Sequence, residues 1–299
     1  MGHKHHHHHK ATGKNLFWAI LLNVGISLAE LIGGLLSGSM SLISDAVHNF
    51  SDVISLIISY VANRLSKKAA TEKHTFGYKR SEILAAFVNS VTLIVLAVFI
   101  IYQAIERYIN PVEIKGRPVI YLALLSVVVN ALSVKLIEKD AVNNMNMRSA
   151  YLHLFGDMMT SVAVLAGGVV MHFFHIYQID SILSVLIGLY LIRISWEVFR
   201  SSLRIIMQFT PEHIDLQKIV KEVCHIEGVK NLHHVHVWQI DEHDIMFEAH
   251  IDLSKDVKIS DFEQILKQVK ECLSEYDIYH VTLQPEFSMP DNKEVIVDN

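Results

Sequence analysis

Two pairs of histidine and aspartate lie inside long apolar stretches of the sequence. His48 precedes Asp52 by four residues, and His153 precedes Asp157 by four residues. Because an α-helix has about 3.6 residues per turn, the two members of each pair fall on nearly the same helix face. Ionisable side chains inside a membrane are costly to bury and usually functional. Two such helices facing each other would offer two imidazoles and two carboxylates.

This predicted set of four donors suits zinc. Zn²⁺ takes four ligands tetrahedrally and accepts both imidazole nitrogen and carboxylate oxygen, while two carboxylates cancel its charge. Ca²⁺ and Mg²⁺ prefer six or more oxygens, and Cu(I) prefers sulfur ligands. A single pair could be an internal hydrogen bond, but two identical pairs in separate segments favour a metal site inside the membrane.

The pairs require membrane-spanning helices to position them. The chain has 299 residues, 51% of them hydrophobic, and a mean hydropathy of +0.32. A bilayer core needs about 20 mostly apolar residues in a helix. Six segments meet this length, and the pairs lie in the second and fifth: 15–36, 40–64, 82–106, 118–138, 149–173 and 179–203. We therefore predict an α-helical membrane protein with six transmembrane helices in residues 15–206, embedded in a lipid bilayer.

Two further acidic residues in these segments have open roles. Asp45 precedes His48 by about one turn, and we expect it to hydrogen-bond near the site, with direct metal ligation as the less favoured alternative. Glu30 could relay protons, but a packed hydrogen-bonding role is the commoner one for such a residue.

Positive charges predict the orientation of the helices. Lysine and arginine concentrate in cytoplasmic loops of membrane proteins. The first and fifth predicted hairpins contain neither residue, whereas the loop after the second span is rich in both: Lys67, Lys68, Lys73, Lys79 and Arg80. We expect a multi-pass protein of the cell membrane with both termini in the cytoplasm.

The chain after Pro211 has the pattern of a small soluble domain. The pattern predicts a helix over 213–226, strands over 230–240 and 245–253, a helix over 259–274 and a strand over 278–286. This order indicates an α+β ferredoxin-like domain in residues 210–288. Polar residues 289–299 are expected to be a disordered tail. Residues 1–14 form a His-rich tail, whose run His5–His9 is either native or an expression tag.

The overall charge argues against nucleic acid as a partner. The formal net charge is −5 and the isoelectric point is near 6.4. The sequence has no basic patch interleaved with aromatic residues, which nucleic-acid-binding surfaces commonly have.

Three long motifs resemble the cation diffusion facilitator family. They are Gly34–Asp52, Thr75–Leu84 and Met147–Asp157, and the resemblance extends over about residues 10–288. It implies six membrane spans, a cytoplasmic ferredoxin-like domain, a homodimer and exchange of divalent metal ions for protons. The family's transport-site motif falls on four residues of this sequence: His48, Asp52, His153 and Asp157.

The resemblance also bears on metal preference and on a second site. Some relatives have aspartate in place of His48 and are looser toward cadmium, so His48 favours Zn²⁺ as the transported substrate. In the cytoplasmic domain, His233, His250 and Glu286 stand at positions that bind metal in relatives, with a regulatory role implied. Gln284 stands where some of those relatives have histidine, and a surface histidine cluster without metal is the alternative.

Three other functions remain open from the sequence. An intramembrane zinc hydrolase would keep one coordination position for water and a nearby general base, and the sequence contains no HExxH. A metal-sensing membrane scaffold would bind zinc without moving it. A metal channel would pass ions without coupling to protons.

Overall fold

The structure is a computed structural model that describes residues 9–141 and 145–297. The described residues form two compact units. The first contains residues up to Tyr60 and Val88–Val198, and the second contains Val61–Phe87 and the residues from Phe199 onward.

Six long helices cover the six predicted spans. They are α1 (His9–Ser37), α2 (Met40–Ser66), α3 (Ser81–Ile109), α4 (Gly116–Ala141), α5 (Met145–Phe174) and α6 (Gln178–Ile206). Within the residues whose side chains are described, four of them contain stretches long and apolar enough to cross a membrane: Ser81–Ile109, Gly116–Leu136, Leu154–Phe174 and Gln178–Ile206. The described part of α1 contributes the apolar stretch Leu21–Ser37. Asp45, His48 and Asp52 make α2 more polar than its neighbours.

The outward faces of the first unit are apolar. Leu36 is 72% exposed, Tyr121 70% and Phe173 69%, whereas the buried positions include many serines and carboxylates. Because a protein in water arranges its residues in the opposite way, this distribution is that of a helical membrane domain.

The start of α2 is held by a buried carboxylate from α6. Asp180 accepts hydrogen bonds from Ser39 Oγ at 2.6 Å, Met40 N at 2.6 Å and Ser41 N at 3.2 Å. The first N–H groups of a helix have no partner within the helix, and a negative charge there is also favoured by the helix dipole. Asp180 therefore fixes the end of the helix that carries His48 and Asp52.

The first motif of the sequence has a packing role next to this cap. A Cβ atom added at Gly34 would lie 2.6 Å from Ile43 Cγ1 and 3.1 Å from Ile43 N. Glycine at this position lets α1 and α2 approach closely where the chain turns between them.

The C-terminal domain has the predicted order of elements. It contains α7 (Leu216–Cys224), β1 (Val229–Gln239), β2 (Ile245–Leu253), α8 (Ile259–Ser274) and β3 (His280–Glu286). The strands form one sheet in the order β1-β2-β3, with β2 antiparallel to β1 and parallel to β3. One face of each helix packs on the hydrophobic core, through Ile219 and Val223 of α7 and through Val269 and Leu273 of α8.

The predicted disordered tail differs from the structure over residues 291–297, which we call the C-terminal segment. The N–H of His234 donates to Glu294 O at 3.1 Å, and the N–H of Val235 donates to Val295 O at 2.8 Å. The register between β1 and β2 shifts between His233 and His236, and His234 has a φ of 51°. This irregularity frees two N–H groups of β1, and the C-terminal segment binds them.

Candidate metal centres

The first centre brings His48 of α2 together with the two predicted aspartates. His48 Nε2 lies 3.2 Å from Asp157 Oδ1 of α5, and His48 Nδ1 lies 3.6 Å from Asp52 Oδ2. The side chains of His48 and Asp157 are each 4% exposed, and that of Asp52 is 27% exposed. One potential ligand atom from each residue lies within 4.8 Å of the others. The three residues could close around one ion after small side-chain movements.

His153 belongs to α5 and precedes Asp157 by four residues. Its side chain lies outside the described residues, so its role as the fourth ligand stays a prediction. Two carboxylates and one imidazole already include the donor types that zinc accepts.

Asp45 connects α2 to α5 beside the centre. Its Oδ1 accepts a hydrogen bond from Thr160 Oγ1 at 2.9 Å, and its Oδ2 lies 3.0 Å from Ser161 Oγ. Ser161 Oγ also lies 2.9 Å from Ser126 Oγ of α4 and accepts a hydrogen bond from Asn130 Nδ2 at 3.2 Å. Asp45 is fully buried. These contacts give it the expected hydrogen-bonding position, one helix turn from His48.

Two more residues near His48 come from α1 and α6. Glu30 of α1 is fully buried and accepts a 3.5 Å hydrogen bond from Asn49, the residue after His48. This contact is compatible with the packed hydrogen-bonding role and leaves the proton-relay alternative untested. Tyr190 of α6 meets the His48 ring edge-on, with 6.2 Å between the ring centroids. Our sequence analysis did not identify Tyr190 or Asp180, because neither belongs to a spaced motif.

The second centre lies in the C-terminal domain and uses all three strands. His233 of β1 is paired in register with His250 of β2, and Glu286 is near the end of β3. His250 Nδ1 lies 2.8 Å from Glu286 Oε1, and His233 Nε2 lies 3.4 Å from Glu286 Oε2. The structure therefore brings together the three residues that the family resemblance implied for this domain.

Asp291 is a fourth member of this centre that the sequence analysis missed. Its Oδ2 lies 3.1 Å from His233 Nε2, and ligand atoms of the four residues lie within 4.8 Å of one another. Gln284, which replaces a histidine of some relatives, donates to Glu286 Oε1 at 3.1 Å. Two imidazoles and two carboxylates fit the donor types and ligand number of a zinc site.

The ammonium group of Lys293 lies among the carboxylates of the second centre. Its Nζ donates to Asp252 Oδ1 and to Glu286 Oε2, each at 2.9 Å, and it forms an ion pair with Asp291. The hydrogen bond from Lys293 holds the pKa of Asp291 well below its usual range. Desolvation opposes the charge on Lys293, but its hydrogen bonds to the carboxylates outweigh this effect and raise the pKa of Lys293 above its usual value.

Comparison with known proteins covers both domains of the chain. Residues 16–207 match the cation efflux transmembrane domain, and residues 211–288 match the cytoplasmic domain of cation efflux proteins. The chain is 36% identical over 284 residues to the cadmium, cobalt and zinc/H(+)-K(+) antiporter of Bacillus subtilis, covering 94% of this chain and 91% of that protein.

Two other similar proteins are also efflux proteins or transporters by name. The zinc transporter ZitB of Pectobacterium atrosepticum is 34% identical over 295 residues, with 98% of this chain and 91% of that protein covered. The metal cation efflux system protein CzcD of Cupriavidus metallidurans is 32% identical over 290 residues, with 96% and 91% covered. The similarity therefore extends along nearly the whole chain.

Proposed function

Because the chain belongs to the cation diffusion facilitator family, we propose that it exports zinc, or a similar divalent metal ion, in exchange for protons. The observation that carries this proposal is the buried contact of 3.2 Å between His48 Nε2 and Asp157 Oδ1, which joins two membrane helices through metal-binding groups. The names of the relatives support zinc, cadmium and cobalt as candidate substrates.

The transported ion is held, in this proposal, by His48, Asp52 and Asp157, with His153 as the fourth ligand. Imidazole binds metal only when it is neutral, so protons compete with the ion for the same groups. In this proposal, protons replace the metal ion on His48 and on the carboxylates of Asp52 and Asp157, which lie beside it. The contacts of His48 with both carboxylates support this exchange of one metal ion for protons.

Transport also requires the site to open alternately to the two sides of the membrane. Carriers of other families achieve this by rocking helices around a fixed site near the middle of the bilayer. The hydrogen bonds of Asp45 to Thr160 and Ser161 support a pair of helices that moves as a unit, because they tie α2 to α5 beside the ligands.

The membrane location, the orientation and the oligomeric state of the chain follow from the same proposal. We expect a multi-pass protein of the cell membrane, with both termini and the C-terminal domain in the cytoplasm, that works as a homodimer. The match to the cytoplasmic domain of cation efflux proteins supports this placement. The His-rich tail, whose residues 1–8 lie outside the described residues, would raise the metal concentration at the cytoplasmic entrance.

Zinc flux into proteoliposomes under an imposed pH gradient tests this function. We compare the intact protein with Asp157→Asn and with Glu271→Gln, a control on the exposed surface of α8, where the side chain is 68% exposed. We expect gradient-dependent flux in the intact protein and in the control, and a flux lower by about a hundredfold or more in Asp157→Asn. Flux that persists without a gradient would favour a channel instead.

The second metal centre favours one alternative, a metal-sensing scaffold. Such a protein would bind zinc at His233 and His250 and would carry no flux in the same proteoliposomes. Zinc binding to the intact protein, measured in parallel, separates the scaffold from a transporter that was inactivated during reconstitution. A zinc hydrolase finds no support in the names of the relatives.

A further inference from the structure

Lys293 has an unusual position for a lysine. Its ammonium group lies 2.9 Å from carboxylate oxygens of Asp252 and Glu286 and 3.3 Å from His233 Nε2. Lysine has three donors and no lone pair when charged, so it cannot be a metal ligand. Its ammonium group instead contacts these oxygens and this nitrogen in the way that a bound metal cation would.

We propose that Lys293 is an internal cation of the cytoplasmic centre, and that a metal ion binds to His233, His250, Glu286 and Asp291 only when the Lys293 side chain leaves. This inference rests on the proposal that the centre is a metal site. It concerns how that site is filled and is independent of whether the membrane domain transports zinc.

The two cations exclude each other because they need the same atoms. Glu286 Oε2 accepts from Lys293 and also faces His233 Nε2 at 3.4 Å. A zinc ion bound at about 2.0–2.2 Å from this oxygen would lie within a few ångströms of the ammonium. Like charges at that separation repel strongly in a partly buried site.

The backbone next to Lys293 is anchored, so the side chain can move by itself. Asn231 Nδ2 donates to Lys293 O at 3.3 Å, and the next two carbonyls accept from His234 N and Val235 N at 3.1 and 2.8 Å. These bonds keep Asp291 near His233 while the long lysine side chain swings into solvent. The C-terminal segment thus supplies both a metal ligand and the competing cation.

Lysine acylation on the full-length protein tests the exchange directly. Lys293 is compared with Lys267, whose side chain is 79% exposed, by mass spectrometry with and without added zinc. Carbethoxylation of His250 in the same samples shows whether zinc occupies the centre. We expect Lys293 to react several-fold more slowly than Lys267 without zinc, and to approach its rate when zinc protects His250. Protection of His250 with no change at Lys293 would overturn the proposal.

Variants provide a second measurement, the zinc concentration that half-protects His250. Removing hydrogen bonds between charged groups commonly changes an equilibrium by about tenfold or more. Lys293→Gln is therefore expected to lower this concentration about tenfold, while Lys293→Arg, which keeps the charge, and the control Lys267→Gln leave it near the value of the intact protein.

The remaining outcomes are also decisive. If zinc protects His250 only in Lys293→Gln, Lys293 blocks the centre entirely and the proposal stands. If zinc protects His250 in neither protein, the centre does not bind zinc and the proposal is wrong, whereas gradient-driven zinc flux would still be judged by Asp157→Asn. Because the acylation experiment uses the intact protein, it remains informative if a variant fails to fold.

Discussion

The two candidate metal centres differ in the groups that face their carboxylates. In the membrane domain, Asp52 and Asp157 face the imidazole of His48, which is itself a candidate ligand. In the C-terminal domain, Glu286 and Asp252 face the ammonium of Lys293, which cannot bind metal. In our proposals, the first centre exchanges metal for protons on its own ligands, whereas the second exchanges metal for a side chain.

This difference suits the two roles that we propose. A transport site must release its ion repeatedly, and protonation of a ligand does this without moving the backbone. A regulatory site must stay empty until metal is abundant, and a tethered cation raises the concentration at which metal binds.

Removing a ligand should separate the two centres most clearly. Asp157→Asn keeps the size of the side chain but removes its charge, and we expect gradient-driven zinc flux to fall by about a hundredfold or more, since even outer-shell partners of a metal site contribute 10- to 100-fold. His250→Ala, in the second centre, should retain most of the maximal flux. Equal losses of zinc flux in proteoliposomes for the two variants would contradict the proposed division of roles between the two centres.

The hydrogen bonds of Asp45 should matter less than the ligands themselves. Asp45→Asn keeps one oxygen that can accept from Thr160 but weakens the tie between α2 and α5, and outer-shell changes of this kind cost about tenfold or more in affinity. We expect the zinc concentration for half-maximal flux to rise about tenfold. Thr160→Val, which removes one of the same hydrogen bonds, should shift it in the same direction, and an unchanged value in both variants would remove Asp45 from the site.

Gln284→His should increase the zinc affinity of the second centre. Gln284 Nε2 lies 3.1 Å from Glu286 Oε1, so an imidazole at this position could reach the metal as an additional nitrogen donor. We expect the zinc concentration that half-protects His250 from carbethoxylation to fall about tenfold, with zinc flux little changed. Gln284→Asn, which offers no such donor, is the matched control. A tighter site that also altered maximal flux would show that the two centres are coupled.

The membrane centre was easier to predict from the sequence than the cytoplasmic one. His48 and Asp52 lie one helix turn apart, so helical periodicity places them together on α2, and the same rule pairs Asp157 with His153 on α5. The facing of the two helices was inferred from the two matching pairs. Asp180 gave no such signal, because its partners Ser39 to Ser41 lie about 140 residues away and only tertiary packing brings them together.

The C-terminal segment escaped prediction for a different reason. Its polar composition is typical of a disordered tail, and the bulge that receives it depends on His234, a residue type that gives no strong indication of a positive φ. The trio His233, His250 and Glu286 was predicted only through a resemblance to relatives. Asp291 and Lys293 lie just beyond the last predicted strand, where strand patterning no longer indicates which residues return to the sheet.

The exposed ion pair between Lys79 and Asp244 should have the smallest effect. The side chains are 42% and 44% exposed, and such surface pairs contribute less than about 1 kcal/mol. We expect Asp244→Asn and Lys79→Met each to change the free energy of unfolding by no more than this amount. A double-mutant cycle from denaturation of the full-length protein measures the coupling between the two residues.

The pH dependence of this pair has a defined sign. The hydrogen bond between the two side chains lowers the pKa of Asp244 and raises the pKa of Lys79. The contribution of Asp244 is present above its unfolded pKa of about 3.9 and is lost as the pH falls through its folded value. That of Lys79 is present below about 10.4 and is lost as the pH rises through its folded value. The coupling should therefore stay constant between about pH 5 and pH 9, and a coupling that changed across this range would require a titrating histidine near the pair.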